Sequence, residues 1–73
     1  MSEKELDRAR VEIAGLLKQR RSEMGLSQQQ LADKIGVARE TINRMEAGKF
    51  WLVMKQFVLV CSALELDYRK VFN

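Results

Sequence analysis

The 73-residue sequence contains no histidine and no proline, one cysteine and one tryptophan. Without histidine, the commonest general base near neutral pH is missing. The single Cys61 can form no internal disulfide and no cysteine zinc site, which points to a reducing, cytoplasmic setting. Long hydrophobic runs are also missing. The longest, Trp51 to Met54 and Phe57 to Cys61, fall far short of a membrane span. The first residues alternate acid and base, unlike a signal peptide. No nucleophile–base pair, metal cluster or phosphate-cradling loop is visible. The expectation is therefore a protein that is not an enzyme, with no metal, no cofactor, no small-molecule substrate and no membrane association.

Hydrophobic residues make up 47% of the chain, enough for an ordinary globular core, so disorder is a poor reading. Area scaling allows a chain of this size to bury about 60% of its surface, which suits one modest domain spanning 1–73 without a deep cavity. Net charge is +3 and the isoelectric point is about 9.4, a weak lean toward a polyanion. The excess is spread along the chain, so a basic face has to be made by folding.

Every segment reads as helix. Ser2 and Glu5 stand at capping-box spacing. Leu6, Ala9, Ile13, Leu16, Leu17 and Met24 then recur at helical intervals up to Gly25, a left-handed stop. Ser27 and Gln30 form a second capping box, flanked by a Leu26–Leu31 hydrophobic staple. Leu31, Ala32 and Ile35 supply the inner face, and Gly36 ends this helix after about two turns. A third helix follows at once, with Ala38 at its cap position, Val37, Ile42 and Met45 inward, and Ala47-Gly48 as its stop. A fourth is expected from about Val53 to Leu64 on a stripe of Phe57, Val60, Cys61 and Leu64. Asp67 caps a short fifth, with Leu66 and Val71 at staple spacing and Phe72 closing the core. The fold class is thus all-α, a compact five-helix domain.

Residues 27–47 hold two short helices joined by a tight turn at Gly36-Val37, a helix-turn-helix whose second member is the usual reader of the major groove. Small Ala32 suits a close helix crossing, and Gly36 suits the positive φ of the turn. With Ile42 turned inward, the outer face of the third helix carries Arg39, Glu40, Asn43 and Arg44, all able to meet base edges.

This stretch resembles the phage-repressor and Cro-like helix-turn-helix family, also called the Xre family. The resemblance is carried by Arg21, Gly25-Leu26-Ser27-Gln28, Leu31-Ala32, Ile35-Gly36-Val37, Thr41-Ile42, Glu46-Ala47-Gly48-Lys49 and Ala63-Leu64-Glu65-Leu66-Asp67, in that order and spacing. It covers about residues 13–72. It implies a lambda-repressor-like domain that binds double-stranded operator DNA as a homodimer and represses transcription. By the same resemblance Ala38, Arg39, Glu40 and Arg44 are base-reading positions. Ser27, Gln28, Thr41, Asn43 and Lys49 are phosphate-binding positions, and Arg21 with Glu46 is a structural ion pair. Plainer readings stand beside these. Arg39, Arg44 and Lys49 also suit solvated surface charges. Glu40 also suits a favourable macrodipole contact at a helix N-terminus. Ser27 and Gln28 serve capping as well as an anion.

Three departures from the family pattern stand out. Phe50-Trp51-Leu52 replaces a loop that is more often polar and proline-containing, and Val53 stands where Ser or Asp would cap. Val58 and Leu59 make the fourth helix apolar nearly all round, which calls for burial on more than one side. Trp51, Met54, Val58, Leu59 and Ser62 are therefore expected to form a dimer or partner surface. The other reading is a thicker core covered by the first helix. An antitoxin-like protein that holds a toxin and represses its own operon is the alternative function.

Overall fold

The computed structural model describes residues 3–49 and 53–72, the last without its side chain. The expected cap Ser2, the expected partner residue Trp51 and the expected core side chain of Phe72 lie outside the described residues. Four α-helices run in the order α1 (Glu3–Glu23), α2 (Gln28–Ile35), α3 (Arg39–Glu46) and α4 (Met54–Ala63). The all-α class holds, but the expected fifth helix is a 3₁₀ segment, Tyr68–Phe72. Asp67 explains the difference. Its carboxylate accepts the Arg69 N–H at 3.0 Å and its carbonyl accepts the Lys70 N–H at 2.9 Å, so the turn closes at i+2 and i+3 over five residues.

The capping chemistry sets the helix bounds. Ser27 Oγ accepts from Gln30 N at 3.0 Å and Gln30 Oε1 accepts from Ser27 N at 2.8 Å, a complete capping box on α2. Ala38 and Val53, with no side chain to offer, begin α3 and α4 without such a bond. At the C-terminal ends one device recurs. Leu26, Val37, Lys49 and Leu66 each donate their N–H to the carbonyl five residues back, the wrap of a Schellman cap. That wrap needs a left-handed residue. Gly36 supplies it in the turn between α2 and α3 at φ 75°. After α4 the residue is Glu65, at φ 56°.

Leu17, Leu31, Ala32, Ile42, Met45, Phe57, Val60, Cys61 and Leu64 form the buried core. α2 packs on both α3 and α4, and α1 packs on α3. Two expectations for α1 are corrected. Leu16 is 39% exposed and Leu6 is also exposed, whereas Ala14 is 4% exposed and faces inward. Leu16 precedes fully buried Leu17 by one residue, about 100° around a helix of 3.6 residues per turn, and so falls on the edge of the buried stripe. Near the middle of α1, Val11 lies against Gly48. A Cβ on Gly48 would sit 3.4 Å from Val11 Cγ2, and φ there is 69°.

Among the described residues, side-chain bonds to backbone carbonyls help tie α1 to the rest. Arg20 Nε donates to the Leu64 carbonyl at the end of α4 at 2.9 Å. Arg21 Nη1 donates to the Leu26 carbonyl at 2.6 Å.

Candidate nucleic-acid interface

The α2–α3 pair presents one polar surface. α3 has a clear inside and outside, since Ile42 and Met45 are buried while Arg39, Glu40, Asn43 and Arg44 are exposed. Ala38 is exposed at its N-terminus and Thr41 is half-buried. Ala38, Glu40, Thr41 and Arg44 line a shallow, open depression of about 190 Å³. Two cations, Arg39 and Arg44, therefore flank one carboxylate, Glu40, on the exposed side of α3. Lys49 is exposed just beyond α3, where its N–H closes the C-terminal cap on the Arg44 carbonyl at 3.1 Å. Ser27 is exposed at the start of α2, its hydroxyl engaged with Gln30 N.

Beneath this surface lies a buried charge. The Glu46 side chain is 3% exposed and that of Arg21 is 12% exposed. Arg21 Nε donates to Glu46 Oε2 at 2.6 Å, and Arg21 Nη2 donates to Oε1 at 3.0 Å. This two-pronged geometry is the strong form of the guanidinium–carboxylate contact. Its hydrogen bonds hold the Arg21 pKa above the ordinary value, against the burial that lowers it. Gln28 Nε2 gives Glu46 Oε1 a third bond at 3.0 Å, and Asn43 Nδ2 lies 3.5 Å from Gln28 Oε1. The polar residues of the α2 start and the α3 face are thus linked to the pair below.

The link from Gln28 to Glu46 has no counterpart in the sequence expectations. The two residues are 18 apart and belong to different helices, so no local spacing marks them. The Arg20 bond to the α4 terminus is invisible for the same reason.

On α4, Met54 is 71% exposed, with Val53, Val58 and Leu59 also exposed; Ser62 lies on the exposed side as well. Tyr68 adds a further exposed ring nearby in the chain. Val58 and Leu59 are thus partly covered and partly open on the described part of α4. Cys61 is 1% exposed, and burial pushes its thiol pKa up. Among the described residues no group of three or more His, Cys, Asp or Glu could hold a metal ion, and no helix is long and apolar enough to cross a membrane.

A family model for helix-turn-helix proteins, HTH_3, matches residues 17–70. The restriction-modification controller protein C.AhdI from Aeromonas hydrophila superposes with a TM-score of 0.81 at 27% identity, over 86% of this chain and 96% of that one. The controller C.Esp1396I, solved as a tetramer with its natural 35 base-pair operator, gives a TM-score of 0.78 at 26% identity, over 88% of this chain and 84% of that one. The clp gene regulator ClgR from C. glutamicum shares the fold, with a TM-score of 0.80 at 22% identity over 88% of this chain and 83% of that one. An uncharacterized HTH-type transcriptional regulator of Methanothermobacter thermautotrophicus is 43% identical over 35 residues, 48% of this chain and 51% of that protein. The chain thus spans about half the length of that relative.

Proposed function

The chain belongs to the helix-turn-helix family HTH_3, and from that premise we propose that it is a sequence-specific double-stranded-DNA-binding regulator of transcription. It acts in the cytoplasm as a homodimeric repressor on a palindromic operator, with α3 in the major groove. The observation that carries this reading is the division of α3. Ile42 and Met45 are buried and anchor it, and Arg39, Glu40 and Arg44 are exposed on the other side. A helix of that kind fits a major groove about 12 Å wide.

The roles follow from chemistry. Arg39 and Arg44 suit the O6 and N7 acceptors of guanine, and Glu40 suits the N4 donor of cytosine. Beside so many phosphates the Glu40 carboxylate lowers affinity, so it serves discrimination. Ala38 lines the depression next to them and supplies apolar contact. Ser27, Gln28, Thr41, Asn43 and Lys49 meet backbone phosphates, aided at the start of α2 by its free N–H groups. The Arg21–Glu46 pair holds α1 and α3 together so that the α3 face keeps its angle. Support from relatives comes from C.Esp1396I, which was solved on its operator.

The exposed apolar side of α4 supports a second copy of the chain as its partner, which would set two α3 helices at a fixed spacing. The antitoxin-like alternative places a toxin on the same apolar residues. Selection of bound sites from random duplex DNA tests the function. A palindrome with half-sites about one helical turn apart is expected. Failure to enrich any sequence overturns the reading. Light scattering separates the partners. A particle twice the 8.5 kDa chain mass supports the homodimer, and a monomer that captures a co-expressed toxin supports the alternative.

A further inference from the structure

The network around Glu46 joins the fold to the reading face in a way the ion pair alone does not explain. Glu46 Oε1 accepts from Gln28 Nε2 at 3.0 Å. With the amide turned the other way, the Gln28 oxygen would meet a buried carboxylate oxygen at that distance. Two acceptors would then face each other with no proton between them, away from water. The charge of Glu46 therefore permits only one orientation of the Gln28 amide. Its carbonyl is turned away, toward α3, where Asn43 Nδ2 lies 3.5 Å from it. Asn43 and Glu46 are three residues apart on α3 and so lie along one side of the helix, which lets a single Gln28 side chain reach both.

The consequence concerns the ligand-facing half of Asn43. One N–H of its amide is directed to Gln28. The exposed side chain keeps its Oδ1 acceptor and its second N–H donor, in a fixed hand. A phosphate offers acceptors only and would leave Oδ1 unused. Adenine offers the N6 donor and the N7 acceptor side by side in the major groove, which is the complement of an oriented carboxamide.

We propose that Asn43 reads an adenine, and that the buried Glu46, acting through Gln28, is the positioning residue that fixes the hand of its amide. This rests on the DNA-binding function above and moves Asn43 from the phosphate contacts to the base contacts.

The experiment uses the full chain and the operator that it selects from random duplexes. Binding is measured as the ratio of affinities for the selected site and for sites changed at one position, so that uniform losses cancel. Wild type is expected to prefer adenine at one position of each half-site by about 5- to 150-fold, the range of a good two-bond amide–adenine pair. It should also be weakened there by 7-deazaadenine, which lacks the N7 acceptor. Asn43→Ala should abolish that preference. Gln28→Met leaves the Arg21–Glu46 pair intact and should remove most of the preference at the same position, while the double variant loses no more selectivity than Asn43→Ala. Melting curves for each variant separate unfolding from lost selectivity. If Gln28→Met weakens all sites by one common factor and the adenine ratio stays at its wild-type value, the positioning role is overturned. If Asn43→Ala keeps every base preference, the adenine contact is overturned, although the wild-type operator and the general function stand. A wild-type chain that enriches no sequence overturns both.

Discussion

Glu46→Ala is expected to destabilise the domain far more than it alters sequence preference elsewhere in the operator. The change removes an acceptor of three hydrogen bonds, two from Arg21 and one from Gln28. The Arg21 guanidinium, 12% exposed, is left with the Leu26 carbonyl as its acceptor. Stranding one member of such a pair costs about 3–5 kcal/mol. A chain of this length has a total stability of roughly 4–11 kcal/mol, so the loss removes between about a quarter and all of it. For a domain this small, each kcal/mol shifts the midpoint by about 4–8 °C, and the expected fall is at least about 12 °C. Thermal melts followed by circular dichroism measure it. Because the pair is buried, the gap from wild type should persist in molar salt, where a surface pair would be screened. A double variant, Arg21→Met with Glu46→Leu, should recover much of the loss, since no charge is then stranded. A midpoint within about 4 °C of wild type, or a gap that closes in salt, would refute the reasoning.

Other expectations are simpler to state. Glu65→Gly should raise stability by about 1 kcal/mol, because Glu65 holds a left-handed φ of 56° that glycine adopts freely; urea denaturation reads this directly. Lys49→Ala should weaken binding about equally on all sequences and lower the salt slope by about one unit, whereas Arg39→Ala should relax preference at one base position; titrations at several salt concentrations on two operators distinguish them. Leu59→Glu should leave the helical content unchanged and abolish the proposed dimer, as seen by light scattering, because Leu59 is 38% exposed on the apolar side of α4. Cys61, buried and with its thiol pKa pushed up, should react with a thiol reagent only as fast as the fold opens.

Much of the fold was legible because its signals are local. The Ser27–Gln30 box, the Gly36 turn and the inward pair Ile42 and Met45 each depend on residues within a turn or two of one another. Errors arose where helical periodicity meets an edge. Leu16 lies at the edge of the buried stripe of α1 and Ala14 within it, and hydrophobicity favours Leu16 although geometry selects Ala14. The last segment became 3₁₀ because the Asp67 carboxylate competes for the backbone N–H groups that an α-turn would need. For the candidate site, composition and spacing reach the outer face of α3, while the resemblance singled out Arg21 and Glu46. Neither reaches the bond between Gln28 and Glu46 or the placement of Asn43 beside it, which exist only once α2 and α3 have packed. The apolar α4 side was visible as an excess of Val58 and Leu59 over what one core needs, but a sequence does not say what covers them.

The central claim is that the outer face of α3 enters the major groove, and methylation interference on the selected operator tests it most directly. Guanine N7 methylation projects into that groove. It should block binding in two clusters about one helical turn apart, with Arg39→Ala or Arg44→Ala losing sensitivity at one guanine in each cluster. Interference confined to the minor-groove N3 of adenines, or identical patterns in wild type and both arginine variants, would contradict the account.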